Sequence, residues 1–434
     1  MVIVYTNKIT PRLQYVADFI GKEITGEAFQ LTIDSFVFND YTGPKINYSD
    51  TKINKEELRV KNSSLLFEDS IEEQKITCFE VNGHKAFFRT DGDYPFDIFA
   101  AIFYLLSRYE EYLPHPRDIY GRYAHENSLA FKEGFLNLPL VNIWLGDFRK
   151  TLKEKFPALA MHSSSFNFVP TYDIDEAFAF KHKGLVKTVG GIARSIMNRE
   201  WPMVNERINV LREKSQDPYD AFEWMDKLHE RNDLWPMYFF HVATAKGKYD
   251  KNISPAHPGM KVLIKQHAEK YPIGIHPSWA SGDQESLLNE EIRILEATSG
   301  KKINSSRQHY IRFELPQTFR RLIVAGITDD YSMGYGSING FRASVASSFY
   351  WYDLKKEQLT NLLLHPFCFM EANSFFEQKY LPQRAYEEMM HYYNAVKAVN
   401  GTLITIWHNS FLGSYKSFIG WRDVYEEFVR QVSG

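Results

Sequence analysis

Thr171-Tyr172-Asp173-Ile174-Asp175 sets two carboxylates at i and i+2 at the end of an apolar run, Phe166-Asn167-Phe168-Val169-Pro170. Residues two apart in a strand share a face, so both carboxylates would enter one site, where one can bind a metal while the other handles a proton. That division of labour is the chemistry of metal-assisted hydrolysis. An Asp-x-Asp pair in a surface turn is the plainer alternative. Two further short β-branched runs end in histidine, Ile273-Gly274-Ile275-His276 and Leu403-Ile404-Thr405-Ile406-Trp407-His408. A barrel of parallel strands gathers its strand ends at one rim, so strands ending in Asp, His and His would bring these groups together.

The elements needed to do so are legible from about residue 166, where strand-helix alternation becomes regular and favours a parallel sheet or barrel with helices outside. Expected inward strands are 166–169, 235–241, 273–275, 305–310, 327–329 and 403–407. Helices fit between them, one opening at Asp217-Pro218-Tyr219-Asp220 and one over 286–299 ending at Gly300. Residues 1–165 read as a separate, smaller α/β domain of unknown role. In it 2–5 and 29–33 are strands, and 11–20 carries helical spacing in Leu13, Val16, Ala17 and Ile20. A longer helix is expected over 95–112, broken by Leu113-Pro114-His115-Pro116. The barrel of 166–434 carries a basic insertion at about 181–214. There Lys181, Lys183, Lys187, Arg194, Arg199, Arg207, Arg212 and Lys214 interleave with Leu185, Val186, Val189, Ile192, Ile196, Met197 and Trp201. Such a segment could lie on an anionic membrane surface. A solvated helical hairpin packed on the barrel is the alternative.

At 434 residues the chain has ample material for a core without covalent staples. Its two cysteines, Cys78 and Cys368, lie far apart in apolar contexts, which argues against a disulfide framework or a cysteine-type zinc site. Met1-Val2-Ile3-Val4-Tyr5-Thr6-Asn7 reads as a first strand rather than a signal peptide, and no apolar run approaches the ~20 residues needed to cross a bilayer. A cytoplasmic protein, membrane-peripheral at most, is expected. The net charge of −3 gives no electrostatic case for nucleic acid. The 15% aromatic content suits a sugar-stacking groove and a large aromatic core equally well.

On these residues the second half resembles the polysaccharide deacetylase family, the NodB-homology carbohydrate esterases, which fold as a distorted (β/α) barrel. More narrowly, the whole chain resembles a subgroup of Bacteroidetes-type bacteria with an uncharacterised α/β domain ahead of the barrel. Phe103-Tyr104-Leu105-Leu106-Ser107-Arg108-Tyr109-Glu110-Glu111-Tyr112 and Gly134-Phe135-Leu136-Asn137-Leu138-Pro139-Leu140-Val141 look like that leading domain. The fold class so implied is α/β, a distorted barrel of NodB type preceded by a smaller α/β domain.

The resemblance also implies roles. The family's Thr-Phe-Asp-Asp motif has a general base followed by a metal ligand, and here an extra residue separates the carboxylates. Asp173 is assigned as base and Asp175 as ligand, with the reverse left open by the shared strand face. The second motif carries two metal-binding histidines four residues apart. His276 matches the first, but the second position is Ala280. A catalytic zinc normally keeps three protein ligands, so the third is expected from His309, with His241 the other candidate and a metal-free barrel the remaining one. Arg307 stands where the family has an arginine orienting the base, and Arg342 is a second candidate; either could instead form a structural ion pair. His408, at the end of a run like the family's Leu-x-Leu-x-His, would be the general acid. A divalent metal, Zn2+, is the implied cofactor, and an N-acetylated sugar or lipid-linked glycan the implied substrate. The implied activity is removal of N-acetyl groups. A barrel that lost the chemistry and serves as a glycan-binding or scaffolding protein is the alternative, favoured by Ala280.

Overall fold

A computed structural model describes residues 1–245 and 247–433. The first sheet has four parallel strands, β1 (Ile3–Thr6), β2 (Gln30–Thr32), β3 (Lys45–Tyr48) and β4 (Leu58–Arg59), in the order β2-β1-β3-β4. Between β1 and β2 runs α1 (Pro11–Thr25), whose Leu13, Val16, Ala17, Ile20 and Ile24 are buried. Thr10 caps its start by accepting from the Leu13 N–H, and Gly26, at φ 82°, ends it. The helix α2 (Ile98–Leu106) has every residue buried and is capped by Asp97, which accepts from Ala100 N–H. It is shorter than the 95–112 expected, because Arg108 turns left-handed at φ 54° and the chain continues as a single 3-10 turn. Behind it lies α3 (Leu140–Lys155).

The second sheet has nine strands. In chain order the elements are β5 (Asn167–Ile174), α4 (Leu185–Met197), α5 (Trp201–Leu211), α6 (Phe222–Arg231), β6 (Met237–Phe240), α7 (Pro258–Lys270), β7 (Ile273–Ile275) and α8 (Glu285–Ser299). There follow β8 (Ser305–Ser306), α9 (Gln317–Val324), β9 (Asp329–Asp330), β10 (Phe349–Asp353), β11 (Gln358–Leu364), β12 (Phe369–Met370), α10 (Pro382–Ala398), β13 (Thr402–His408) and α11 (Trp421–Ser433). The strand order is β10-β11-β9-β8-β7-β6-β5-β13-β12, with every pairing parallel except that of β10 with β11. The end strands β10 and β12 do not pair with each other, so the barrel is distorted and open at that seam. The strands β6 and β7 are buried throughout, as parallel strands between a filled interior and outer helices must be. Pro170 has no N–H for the ladder, and Thr171 Oγ1 instead donates to the Thr405 carbonyl across β13 (2.7 Å). The expected strand over 305–310 is only two residues long, because beyond Ser306 the chain leaves the ladder for a 3-10 turn over His309–Ile311. The β10/β11 hairpin was not expected.

The two sheets share one continuous apolar core. Tyr15 of α1 donates to the Tyr350 carbonyl (2.9 Å), and Arg12 pairs with Glu357 in the hairpin turn (2.6 Å). The insertion after β5 forms a helical hairpin, α4 and α5. Among the described residues no helix is long and apolar enough to cross a membrane.

Candidate metal centre

The strand register sets the site. His408 pairs with Asp173 across β13 and β5, Asp173 with Phe239 across β5 and β6, and Phe239 with Gly274 of β7. The polar groups therefore leave the C-terminal ends of neighbouring parallel strands at one level, where such sheets carry their sites. Asn252 ties two of those ends together, donating to the Ile174 carbonyl (3.1 Å) and the His241 carbonyl (2.9 Å).

Asp173 and Asp175 do face one site. His276 Nε2 lies 3.0 Å from Asp175 Oδ1 and 3.8 Å from Asp173 Oδ2. His309 Nε2 lies 3.4 Å from Asp175 Oδ2, and His408 Nε2 lies 3.5 Å from the same oxygen. Each imidazole has its other nitrogen occupied. His276 Nδ1 donates to the Arg307 carbonyl (2.7 Å), an acceptor only, so its proton sits there and Nε2 is left to face the carboxylate. His309 Nδ1 meets Asp250 Oδ1 (3.3 Å), and His408 Nδ1 meets Glu371 Oε1 (2.6 Å). Such outer partners fix tautomer and ring direction in metal sites.

Asp175, His276 and His309 offer three ligand atoms within 4.8 Å of one another. The set fits a divalent metal on two further grounds. Asp175 Oδ1 is buried and has no hydrogen-bond partner, although His276 Nε2 is 3.0 Å away. The site also gathers positive charge. Burial pushes the Asp175 carboxyl up, but His309, His276 and His408 outweigh it and hold it well below the usual carboxylate range. Burial likewise pushes the His309 imidazole down, yet Asp175 and Asp250 bring it up to about 9. A cation bound to Nε2 takes the place of that proton. One carboxylate and two imidazoles leave an open position, as catalytic sites do. The group Asp175, His276 and His309 is thus a buried set consistent with a metal site.

Asp173 stands apart from the three. Its Oδ1 accepts from Arg307 NH1 (2.9 Å), and the guanidinium is held by donation to the Tyr331 carbonyl (3.0 Å) and by stacking 4.4 Å over the Phe239 ring. Gly274 makes room for that ring, since a Cβ there would lie 2.6 Å from it and 2.9 Å from the Ser305 carbonyl. The last residue of β9, Asp330, does not bond Arg307; it accepts from the Ser306 and Ser332 hydroxyls. Arg342, the second arginine expected here, is not brought to Asp173. Its loop packs on the N-terminal unit, where Nε and NH2 grip both oxygens of Glu111 (2.8 and 2.6 Å) and the guanidinium lies 4.0 Å over Phe313. Two neighbours lay beyond sequence reasoning. Asp250 sits in a loop with no periodicity to mark it. Glu371 ends the apolar run Phe367–Met370, the same strand-then-polar pattern as elsewhere, but over a strand of two residues.

A cavity of about 690 Å³ opens over these groups, with Asp173, Asp175, His276 and His408 in its lining. The N-terminal unit supplies part of its wall through Ile119, Tyr120 and Arg122. Tyr120 lies 5.3 Å from the Tyr310 ring, and Arg122 donates to the Tyr310 carbonyl (2.7 Å). Tyr310 and Ile311 both adopt left-handed backbone, φ 59° and 53°, at a cost of roughly 1 kcal/mol or more each. This sharp turn follows His309 directly.

Residues 2–157 match the model of a family of unknown function, DUF7033. No curated protein matches the chain. Solved structures similar to it include one named as a polysaccharide deacetylase from Mycobacterium smegmatis, 14% identical, with 63% of this chain and 85% of that one aligned at a TM-score of 0.40. The Puue allantoinase is 12% identical, with 62% and 84% covered and a TM-score of 0.41. A structure named as a polysaccharide deacetylase from Pseudomonas aeruginosa PAO1 gives 12%, 62%, 85% and 0.41.

Proposed function

We propose that this chain is a metal-dependent hydrolase that removes N-acetyl groups from a glycan or glycoconjugate. The observation that carries the reading is the separation of three tasks among buried residues a few ångströms apart. Asp175, His276 and His309 form a ligand set, Asp173 is held outside it by Arg307, and His408 is held by Glu371. The motif resemblance supports the roles given to Asp173, Asp175, His276, Arg307 and His408, and His309 supplies the ligand that Ala280 cannot.

When bound, a divalent ion, zinc in our reading, supplies Lewis acidity to the acyl group and to water. The remaining chemistry belongs to the side chains. Asp173 offers Oδ2, the oxygen not engaged by Arg307, to take a proton from the attacking water. His408 presents Nε2 to the site while Glu371 holds Nδ1, so a proton on Nε2 can pass to the departing nitrogen as the C–N bond breaks. Burial pushes this imidazole down, but Glu371 and Asp175 hold it well above the ordinary histidine value, which favours the acid form. The products are acetate and a free amine. Each proton transfer is worth about 10² to 10⁴ in rate.

The cavity, within the range of about 300–1,000 Å³ usual for ligand sites, suits a sugar ring with an aromatic wall. Tyr120 gives the leading unit a part in shaping it. N-acetylated sugars and lipid-linked glycans are the substrates proposed.

A second reading, a glycan-binding barrel without chemistry, is favoured by Ala280 in the position of the second motif histidine. One experiment separates the two. Metal content by plasma mass spectrometry and acetate release from N-acetylated oligosaccharides are measured for wild type and Asp173→Asn. Metal in both proteins with release only from wild type supports the hydrolase; wild type without metal or release after incubation with zinc selects the binder.

A further inference from the structure

A surface helix ordinarily turns its apolar stripe inward. The helix α4 does the reverse. At about 100° per residue, Leu185, Val186, Val189, Ile196 and Met197 fall on one arc. Leu185, Val186, Val189 and Met197, with Trp201 at the start of α5, are between 57% and 88% exposed. The inward side is made of small residues. Ser195 is the one buried residue of α4, and at Gly191 a Cβ would lie 2.6 Å from the Arg207 guanidinium of α5. Small residues thus seat the helix on α5 and leave the apolar arc to face outward.

The charge around that arc has one sign. Between Ala177 and Arg199 the chain has no aspartate or glutamate, while Lys181, Lys183, Lys187, Arg194 and Arg199 are basic, in a protein whose net charge is −3. Lys183 pairs with Glu176, and Lys187 makes contacts of its own. An apolar face bordered by cations complements a bilayer with anionic headgroups, whose acyl boundary takes the apolar side chains while the basic ones meet phosphate. A second copy of this chain would bring the same cations against each other.

We propose that α4 is a docking face for an anionic lipid surface. Its position gives the docking a use. The hairpin is anchored by Phe180, Met203 and Val210, packed with Tyr415, and Tyr415 lies 6.0 Å from Phe418, a residue of the cavity wall. Through Tyr415 the hairpin that carries the docked face is linked to the cavity wall. The inference does not depend on the hydrolase reading.

Flotation of the full-length protein with phosphatidylcholine vesicles, with and without phosphatidylglycerol, tests it. Binding is expected only where phosphatidylglycerol is present, and it weakens at high salt. The double variant Val186→Glu, Met197→Glu loses at least about tenfold in partition, and Arg194→Gln roughly fivefold. The substituted side chains are exposed, so melting temperature and circular dichroism stay as in wild type. No wild-type binding to anionic vesicles overturns the proposal, as does binding that the double variant retains. A dimer seen by light scattering, dissolved by the same double variant in a protein that ignores vesicles, overturns it in favour of a second copy.

Discussion

His408 gives both its backbone N–H (2.7 Å) and its Nδ1 proton (2.6 Å) to a single oxygen, Oε1 of Glu371. Two donors on one acceptor leave the ring one orientation, with Nε2 toward Asp175 Oδ2. Glu371 is itself fully buried. Burial raises its pKa against the opposing charge of His408, so the pair is bought from the fold as a unit.

Replacing Glu371 with glutamine keeps an acceptor but removes the charge. The turnover number is expected to fall about 10-fold to 100-fold with metal content unchanged. His408→Gln, which removes the proton donor, falls by about 10² to 10⁴. Steady-state kinetics beside metal analysis checks both; a Glu371→Gln enzyme with wild-type turnover would show the carboxylate to be merely structural.

In the proposed ligand set His309 stands in for the histidine absent at Ala280. His309→Ala, His276→Ala and Asp175→Asn should each purify without stoichiometric metal. Asp250→Asn, which loosens the Nδ1 partner of His309, is expected to weaken metal affinity by about 10-fold to 100-fold without abolishing it. Competition with a chromogenic chelator measures the difference.

The two arginines should separate by readout. Arg307→Ala is expected to lose rate through Asp173. Arg342→Ala leaves Glu111 buried beside Arg108 with half its partners gone and is expected to cost about 3 to 5 kcal/mol of stability, with metal content retained. Turnover, urea denaturation and metal analysis on the two variants decide the matter.

Tyr120→Ala should raise KM about 2-fold to 10-fold, the worth of one aromatic contact, with little change in turnover or metal content. An unchanged KM on every N-acetylated oligosaccharide tried would remove the leading unit from substrate binding.

His229 gives the fold an acid-side weakness. Its Nε2 meets the Tyr172 hydroxyl at 2.6 Å, and burial pushes its pKa down to about 4. Above the ordinary value of about 6.5 neither state holds the proton and the stability is complete. As pH falls from about 6.5 to about 4 the unfolded chain takes the proton first, so the native state loses about 3 kcal/mol across that window. Unfolding free energies at about pH 7 and about pH 4.5 should converge by about 2 kcal/mol in His229→Gln relative to wild type.

Much of the site could be read from the chain because parallel strands announce themselves. Asp173, His276 and His408 each end a short apolar run, and the register puts such ends at one level. His309 follows from a different ground, as a histidine that could replace the one absent at Ala280. Its strand was misjudged all the same: pairing stops at Ser306, and a left-handed turn after His309, which no residue type demanded, aims the ring. Arg342 shows the opposite limit. Its chemistry matched the role, but its partner Glu111 lies 231 residues away in sequence, and no local pattern reports such a distance. The β10/β11 hairpin was missed for a similar reason, since its Trp351 and Tyr352 resemble any other aromatic run until the N-terminal unit is seen to cover them.

Every residue of the helix α2 is buried, and it lies between the two sheets, against α1, α3 and β10. An element of that kind cannot be apportioned to one side. Cleaved between the halves, the chain would remain associated, and heating or denaturant would dissolve it in one step, with near-ultraviolet and far-ultraviolet signals lost together. The border that a family model draws near residue 157 marks a boundary of sequence kinship, and melting would pass across it unhindered.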